Sequence, residues 1–84
     1  MRNILAVFNN RNQAMQLSTN LKRMGIRCKT INTPRELSED CSLSVLFLER
    51  DLPQIRYVVS KNVFSAFKGL YIVTGDLFRK YIAI

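Results

Sequence analysis

The sequence predicts a small α/β domain in which short apolar strands alternate with amphipathic helices. Three observations carry this. Ile4 to Phe8 and Leu43 to Leu48 are nearly unbroken apolar runs, the pattern of strands covered on both faces. Arg11 to Met24 repeats apolar residues at helical spacing, between a capping asparagine and a glycine. Ile26 to Ile31 alternates, with Arg27 and Lys29 on the outward side, as an edge strand does.

Length and composition bound the answer. The chain has 84 residues, enough for one domain, and a domain of that size buries only about 60 to 65% of its extended surface. A hydrophobic share of 48% suits a globular core and is too high for disorder. No apolar run reaches the roughly 18 residues of a membrane span. Ile4 to Phe8 is also shorter than the apolar stretch of a signal peptide, so a soluble, cytoplasmic protein is expected. Two cysteines are too few for a disulfide framework. Thirteen Lys and Arg against six Asp and Glu give a formal charge of +7, spread from Arg2 to Lys80. That balance suits an acidic partner without naming one, and a scattered solvated surface explains it as well.

Taken in order, Ile4-Leu5-Ala6-Val7-Phe8 reads as a central strand. Asn10 can cap the following helix, with Gln13 in the reciprocal capping position. Ala14, Leu17, Leu21 and Met24 form its apolar stripe, Gly25 supplies a left-handed stop and Ile26 the apolar contact after it. In the next strand Ile26, Cys28 and Thr30 share a face, which makes Cys28 a core residue. Leu43, Val45 and Phe47 share one face of the second central strand. Asp51 opens a second helix with Gln54 three residues on and Pro53 in its first turn. Ile55, Val58 or Val59, and Asn62 keep helical spacing. By period alone that helix could continue through Val63 and Ala66 to a stop at Gly69.

Between Ile31 and Leu43 lies the least common residue combination, Thr33-Pro34-Arg35-Glu36-Leu37-Ser38-Glu39-Asp40-Cys41-Ser42. Pro34 pushes Thr33 into an extended conformation and ends the strand before it. Ser38, Glu39 and Asp40 favour a turn or a short helical start. Cys41 then sits at the exit of an exposed loop. The plainer alternative makes it the first inward residue of the next strand.

Thr33 to Ser38, two variable positions, Cys41 and an apolar strand resemble the putative Se/S carrier-like family of small bacterial proteins. The likeness extends from the first apolar strand through Gly25-Ile26 to Gly69-Leu70-Tyr71. It implies that Cys41 carries sulfur or selenium, as a persulfide or its selenium counterpart, with Thr33, Pro34, Arg35, Glu36, Ser38 and Ser42 forming the binding loop. It also implies a donor enzyme such as a cysteine desulfurase. One departure stands out: the family usually has glycine after its cysteine, where this chain has Ser42. If that glycine serves a positive φ or a close approach, Ser42 would strain the first and crowd the second. The resemblance further implies that the second helix ends at Asn62 and that Phe64 to Val73 returns as a strand with a bulge at Gly69.

Strand, helix, strand, strand, helix, strand (βαββαβ) is the order of a ferredoxin-like two-layer sandwich, an antiparallel sheet with both helices on one face. Residues 1–75 would form it, and 76–84 a C-terminal extension packed on the domain or a partner. Asp76 could cap a turn carrying Leu77, Phe78 and Tyr81, or Tyr81 to Ile84 could be a strand. The two central strands present large apolar groups to the face away from the helices, so a second copy, the tail or a partner should cover it. A homodimer is the first expectation.

The chain has no histidine, and Glu36, Glu39 and Asp40 read most simply as loop solvation and helix-start charges, so an enzyme with its own acid-base apparatus is not expected. Cys28 and Cys41 alone make no zinc site, and neither a phosphate loop nor a dinucleotide fingerprint is present, so no cofactor is expected. A carrier needs only one accessible thiol. Glu39 and Asp40 oppose its thiolate form, while Arg35, if the loop folds back, favours it. Two other classes compete. RNA-recognition sheets stack bases on central-strand aromatics, and Phe8 and Phe47 stand on the right strands, yet Leu43 to Glu49 lacks the signature, so nucleic acid is not expected. An interaction or regulatory module using the apolar sheet face needs no cysteine at all.

Overall fold

Ile4 to Phe8 lie at the centre of the molecule in β1 (Asn3–Phe8). In this computed structural model, which describes residues 2–38, 42–62, 64–75 and 79–84, the remaining elements are α1 (Arg11–Arg23), β2 (Cys28–Asn32), β3 (Leu43–Leu48), a 3-10 turn (Glu49–Asp51), α2 (Leu52–Lys61), β4 (Phe67–Thr74) and β5 (Lys80–Ala83). The strands form one five-stranded sheet in the order β2-β3-β1-β4-β5, and every neighbouring pair is antiparallel. The expectations for Cys41, with Glu39 and Asp40 beside it, for Val63 and for Asp76, Leu77 and Phe78 fall outside the described residues.

Register explains which side chains meet. Ile4 stands opposite Phe47 and Ile72, and Ala6 opposite Val45 and Leu70. These residues, with Phe8 and Leu43, join Ala14, Leu17 and Leu21 of α1 and Ile55 and Val58 of α2 in one core. The opposite parity of β1, Leu5 and Val7, is also buried. Leu5 lies between Leu46 and Tyr71, and Val7 between Ser44 and Gly69. Around them the larger apolar residues of that face, Ile31, Leu46, Leu48, Tyr71, Val73 and Tyr81, are only half-buried. The sequence expectation that this face needs a cover therefore applies to its flanks.

The caps of α1 show local chemistry acting as expected and then departing from it. Asn10 Oδ1 accepts the Gln13 backbone N–H at 3.1 Å. Gln13 does not return the favour: its Nε2 donates to Ser65 Oγ and its Oε1 accepts from the Ala66 N–H, both at 2.9 Å. The amide is worth more to the connection before β4, where buried backbone would otherwise lack partners, and the Asn9 N–H adds a bond to the Ala66 carbonyl at 2.9 Å. At the other end Gly25 has φ +77°, its N–H donates to Lys22 O, and the Ile26 N–H donates to Leu21 O. That pair of bonds is a Schellman stop, with Ile26 buried as its apolar contact.

Elsewhere the structure corrects the sequence reading. Asp51 makes no side-chain cap, because Glu49 to Asp51 wind as a 3-10 turn and leave Asp51 at φ −95°, ψ 4° rather than extended. Helix α2 does end at Asn62, whose backbone N–H and Nδ2 both donate to Val58 O. The returning strand starts at Phe67 and not at Phe64. Phe64 instead closes a turn by accepting the Phe67 N–H at 3.1 Å and packs its ring edge-on against Phe8 at 5.5 Å. The expected bulge falls beside Gly69: Val7 pairs with Gly69 and Phe8 with Phe67, which leaves Lys68 as the extra residue. Strand β2 starts at Cys28 rather than Ile26, and Thr30 is exposed although it has the parity of Cys28, because α1 does not reach over the end of the edge strand. Of the alternatives for the tail, residues 80–83 take the strand and extend the sheet beyond β4. Glu49 also ties the start of β1, accepting two bonds from the Arg2 guanidinium at 2.7 and 3.2 Å, although a pair this exposed contributes only about 0 to 1 kcal/mol.

A Cβ at Gly25 would meet nothing within 4 Å, so the cost of Gly25→Ala is that of the backbone alone. We expect it to lower stability by about 1 to 2 kcal/mol, the penalty of a left-handed L-residue. Urea unfolding should show a lower midpoint at an unchanged slope.

Candidate functional site

The connection from β2 to β3 is a hairpin loop whose base is tightly specified. The Thr33 N–H donates to the Ser42 carbonyl at 3.0 Å, continuing the β2–β3 ladder past the last paired residues, Asn32 and Leu43. Beneath it the hydroxyls of Thr33 and Ser44 meet at 2.6 Å, both residues buried. Proline ends the ladder, since it has no N–H to give. Its carbonyl then accepts the N–H of Leu37 at 3.0 Å and of Ser38 at 3.2 Å, so a turn spans Arg35 to Leu37, while the turn expected at Ser38-Glu39-Asp40 falls on residues mostly outside those described. Arg35 and Glu36 are exposed, while Pro34, Leu37 and Ser38 are half-buried.

The six described loop residues named from the sequence, Thr33, Pro34, Arg35, Glu36, Ser38 and Ser42, thus divide by role. Thr33 and Ser42 hold the base, Pro34 shapes the turn, and Arg35 and Glu36 project from it. Among the described residues no ion pair involves Arg35.

Ser42, the departure noted in the sequence, is buried at 2% exposure. Among the described residues no side chain but glycine has positive φ, so the backbone strain foreseen for Ser42 does not arise. Among the described residues the buried Ser42 hydroxyl has no hydrogen-bond partner. Such a group costs about 1 to 3 kcal/mol of desolvation. Sequence reading missed the Thr33–Ser44 pair, whose only signal is the alternation Ser42, Ser44 in an otherwise apolar run.

Cys28, expected in the core, is half-buried and packs against it from the edge strand. Its sulfur lies 3.6 Å from Ser18 Oγ and donates to the Ser18 carbonyl at 3.7 Å. Phe8 and Phe47 are 0% and 2% exposed. Phe8 packs against Phe64 and Phe67 at 5.5 Å each, so neither central-strand ring is open to a nucleobase. Among the described residues no group of three or more His, Cys, Asp or Glu could hold a metal ion, and no helix is long and apolar enough to cross a membrane.

A small antiparallel α/β sheet with a proline-started hairpin loop is the class of protein these elements define. The family model described as Putative Se/S carrier protein-like matches residues 3–71, and the chain belongs to that family. The match runs from the first residue of β1 into β4 and leaves β5 outside it. No curated protein and no solved structure matches the chain.

The buried hydroxyls make a quantitative test. Thr33→Val strands the Ser44 hydroxyl and should cost about 1 to 3 kcal/mol, whereas adding Ser44→Ala should recover much of that loss. Ser42→Ala removes an unpaired group and should be neutral or stabilising by up to about 1 kcal/mol. Denaturant midpoints of the three variants against the parent check all three expectations.

Proposed function

We propose that this protein is a non-enzymatic carrier that accepts one sulfur or selenium atom on Cys41 and passes it on. The observation that carries the reading is membership of the Se/S carrier family over residues 3–71; the choice of Cys41 rests on the resemblance of its proline-started loop, Thr33 to Ser42, to that family. The described geometry supports it, because the hairpin base from Thr33 to Ser44 holds both ends of the segment that bears the thiol. In the transfer step the Cys41 thiolate attacks the terminal sulfur of a donor persulfide. A new S–S bond forms, the donor's S–S bond breaks, and the donor cysteine leaves as a thiolate with the electron pair. No electrons are exchanged with a third reagent, so the carrier needs no cofactor. A cysteine desulfurase fits as donor, and a reducing cytoplasm keeps the resting thiol free. We read the order β2-β3-β1-β4 as the split βαβ arrangement of a ferredoxin-like sandwich, with both helices on the core side and β5 added at the edge.

The half-buried flanks of the open face, Ile31, Leu46, Leu48, Tyr71, Val73 and Tyr81, favour one addition to this reading, a homodimer through that face. Two copies would then present two carrier loops. An interaction module that needs no thiol is the competing function.

Incubation with a cysteine desulfurase and cysteine should add one sulfur atom to Cys41, located by mass spectrometry of the peptide. Cys28→Ser should keep the adduct and Cys41→Ser should lose it. Labelling of the folded protein should modify Cys41 well before Cys28, which sits against Ser18. Sulfur on Cys28, or none at all, removes the carrier reading. For the dimer, Val73→Lys should turn a dimer into a monomer in sedimentation equilibrium, and a parent protein that is monomeric at every concentration rules it out.

A further inference from the structure

Where β2 begins and β3 ends, a hollow of about 570 Å³ opens, at the end of β3 remote from Ser42 and the carrier loop. Ile26, Leu46 and Leu48 give it apolar walls, and Lys22, Arg27 and Lys29 supply its charged groups. Among the described residues no acidic side chain lines it. Among the described residues the ion pairs are Arg2 with Glu49 and Arg50 with Asp51, so none of these three cations is neutralised. The hollow also borders an open sheet edge. Strand β2 is the outermost on this side, and its outward backbone groups from Cys28 to Asn32 have no sheet partner among the described residues.

We propose that the β2 edge and this hollow together accept an acidic, extended segment of a partner protein as an added strand. Strand addition takes affinity from main-chain hydrogen bonds and selectivity from side-chain sites at alternate positions. Arg27 and Lys29 are two residues apart and share a side of the strand, so carboxylates on alternate residues of the segment meet both. Its apolar residues, on the opposite side of the added strand, face Ile26 and Cys28. The same cations repel the β2 edge of a second copy, which blocks self-pairing and selects an acidic occupant. Two rival occupants fit less well. Phe47, the one aromatic residue in the lining among the described residues, is 2% exposed, which leaves no platform for a stacked base. No buried polar side chain lines the hollow to orient a small ligand.

The test uses the full chain with Cys41 intact and involves no sulfur transfer, so its outcome is independent of the carrier reading. The probe is a capped eight-residue peptide alternating Glu and Val, followed by backbone amide shifts in nitrogen–proton correlation spectra. Saturable shifts should concentrate on Arg27 to Thr30 and Leu46 to Leu48. Affinity should fall about tenfold or more in the Lys22→Glu, Arg27→Glu, Lys29→Glu variant, whose own spectrum reports whether it is folded. If that variant does not fold, salt on the parent protein replaces it, and binding should weaken as salt screens the contacts. No saturable shift, shifts centred elsewhere, salt-independent binding or unchanged affinity in the folded variant overturns the proposal. So does equal binding of the Lys-Val peptide, or of the Glu-Val peptide N-methylated at alternate residues. An oligouridylate that moves the same amides at lower concentration overturns it in favour of nucleic acid.

Discussion

Burial of β1 on both faces and both edges is the constraint on which the structure depends. All five residues from Ile4 to Phe8 are at most 1% exposed, and the strand pairs with β3 on one side and β4 on the other. A side chain of this size contributes about 1.5 to 3 kcal/mol when fully buried, so a slip of register would be opposed twice. A one-residue shift exchanges the two parities of the strand. Here both parities are apolar, and the discrimination comes from their neighbours: Ile4, Ala6 and Phe8 join Ala14, Leu17, Leu21, Ile55 and Val58 in the core, whereas Leu5 and Val7 fit between Leu46, Ser44, Gly69 and Tyr71.

That central strand positions everything used in the functional argument. Strand β3 is fixed against β1, and β2 against β3, so the hairpin loop and the basic hollow are placed at opposite ends of the same pair of strands. The loop base is polar and buried, with one satisfied hydroxyl pair and one unpaired hydroxyl at Ser42. A glycine there would bury no hydroxyl. Among the described residues nothing pairs with the Ser42 hydroxyl, and the backbone at Ser42 carries no positive φ.

Much of this was legible in the residues themselves. Both central strands, the amphipathic stripe of α1, its Asn10 cap and its Gly25 stop are local patterns, and each acts over four or five residues. The loop could be bounded for the same reason, because Pro34 acts on its own φ and on the residue before it. The capping roles assigned to Gln13 and Asp51 did not follow. Gln13 found a more demanding partner in the backbone before β4, 52 to 53 residues away, and Asp51 was already committed to a 3-10 turn. Period alone also left the stretch after Asn62 open between helix and strand.

The sequence by itself determined the number and type of the early elements, the edge character of β2 and the identity of the loop, because periodicity, caps and proline geometry are properties of neighbouring residues. Only the tertiary structure decided that residues 80–83 extend the sheet, that Thr33 meets Ser44, that Ser42 is left without a partner, and that Lys22 joins Arg27 and Lys29 around one hollow. Each of those facts depends on the pairing or packing of segments that no local pattern brings together.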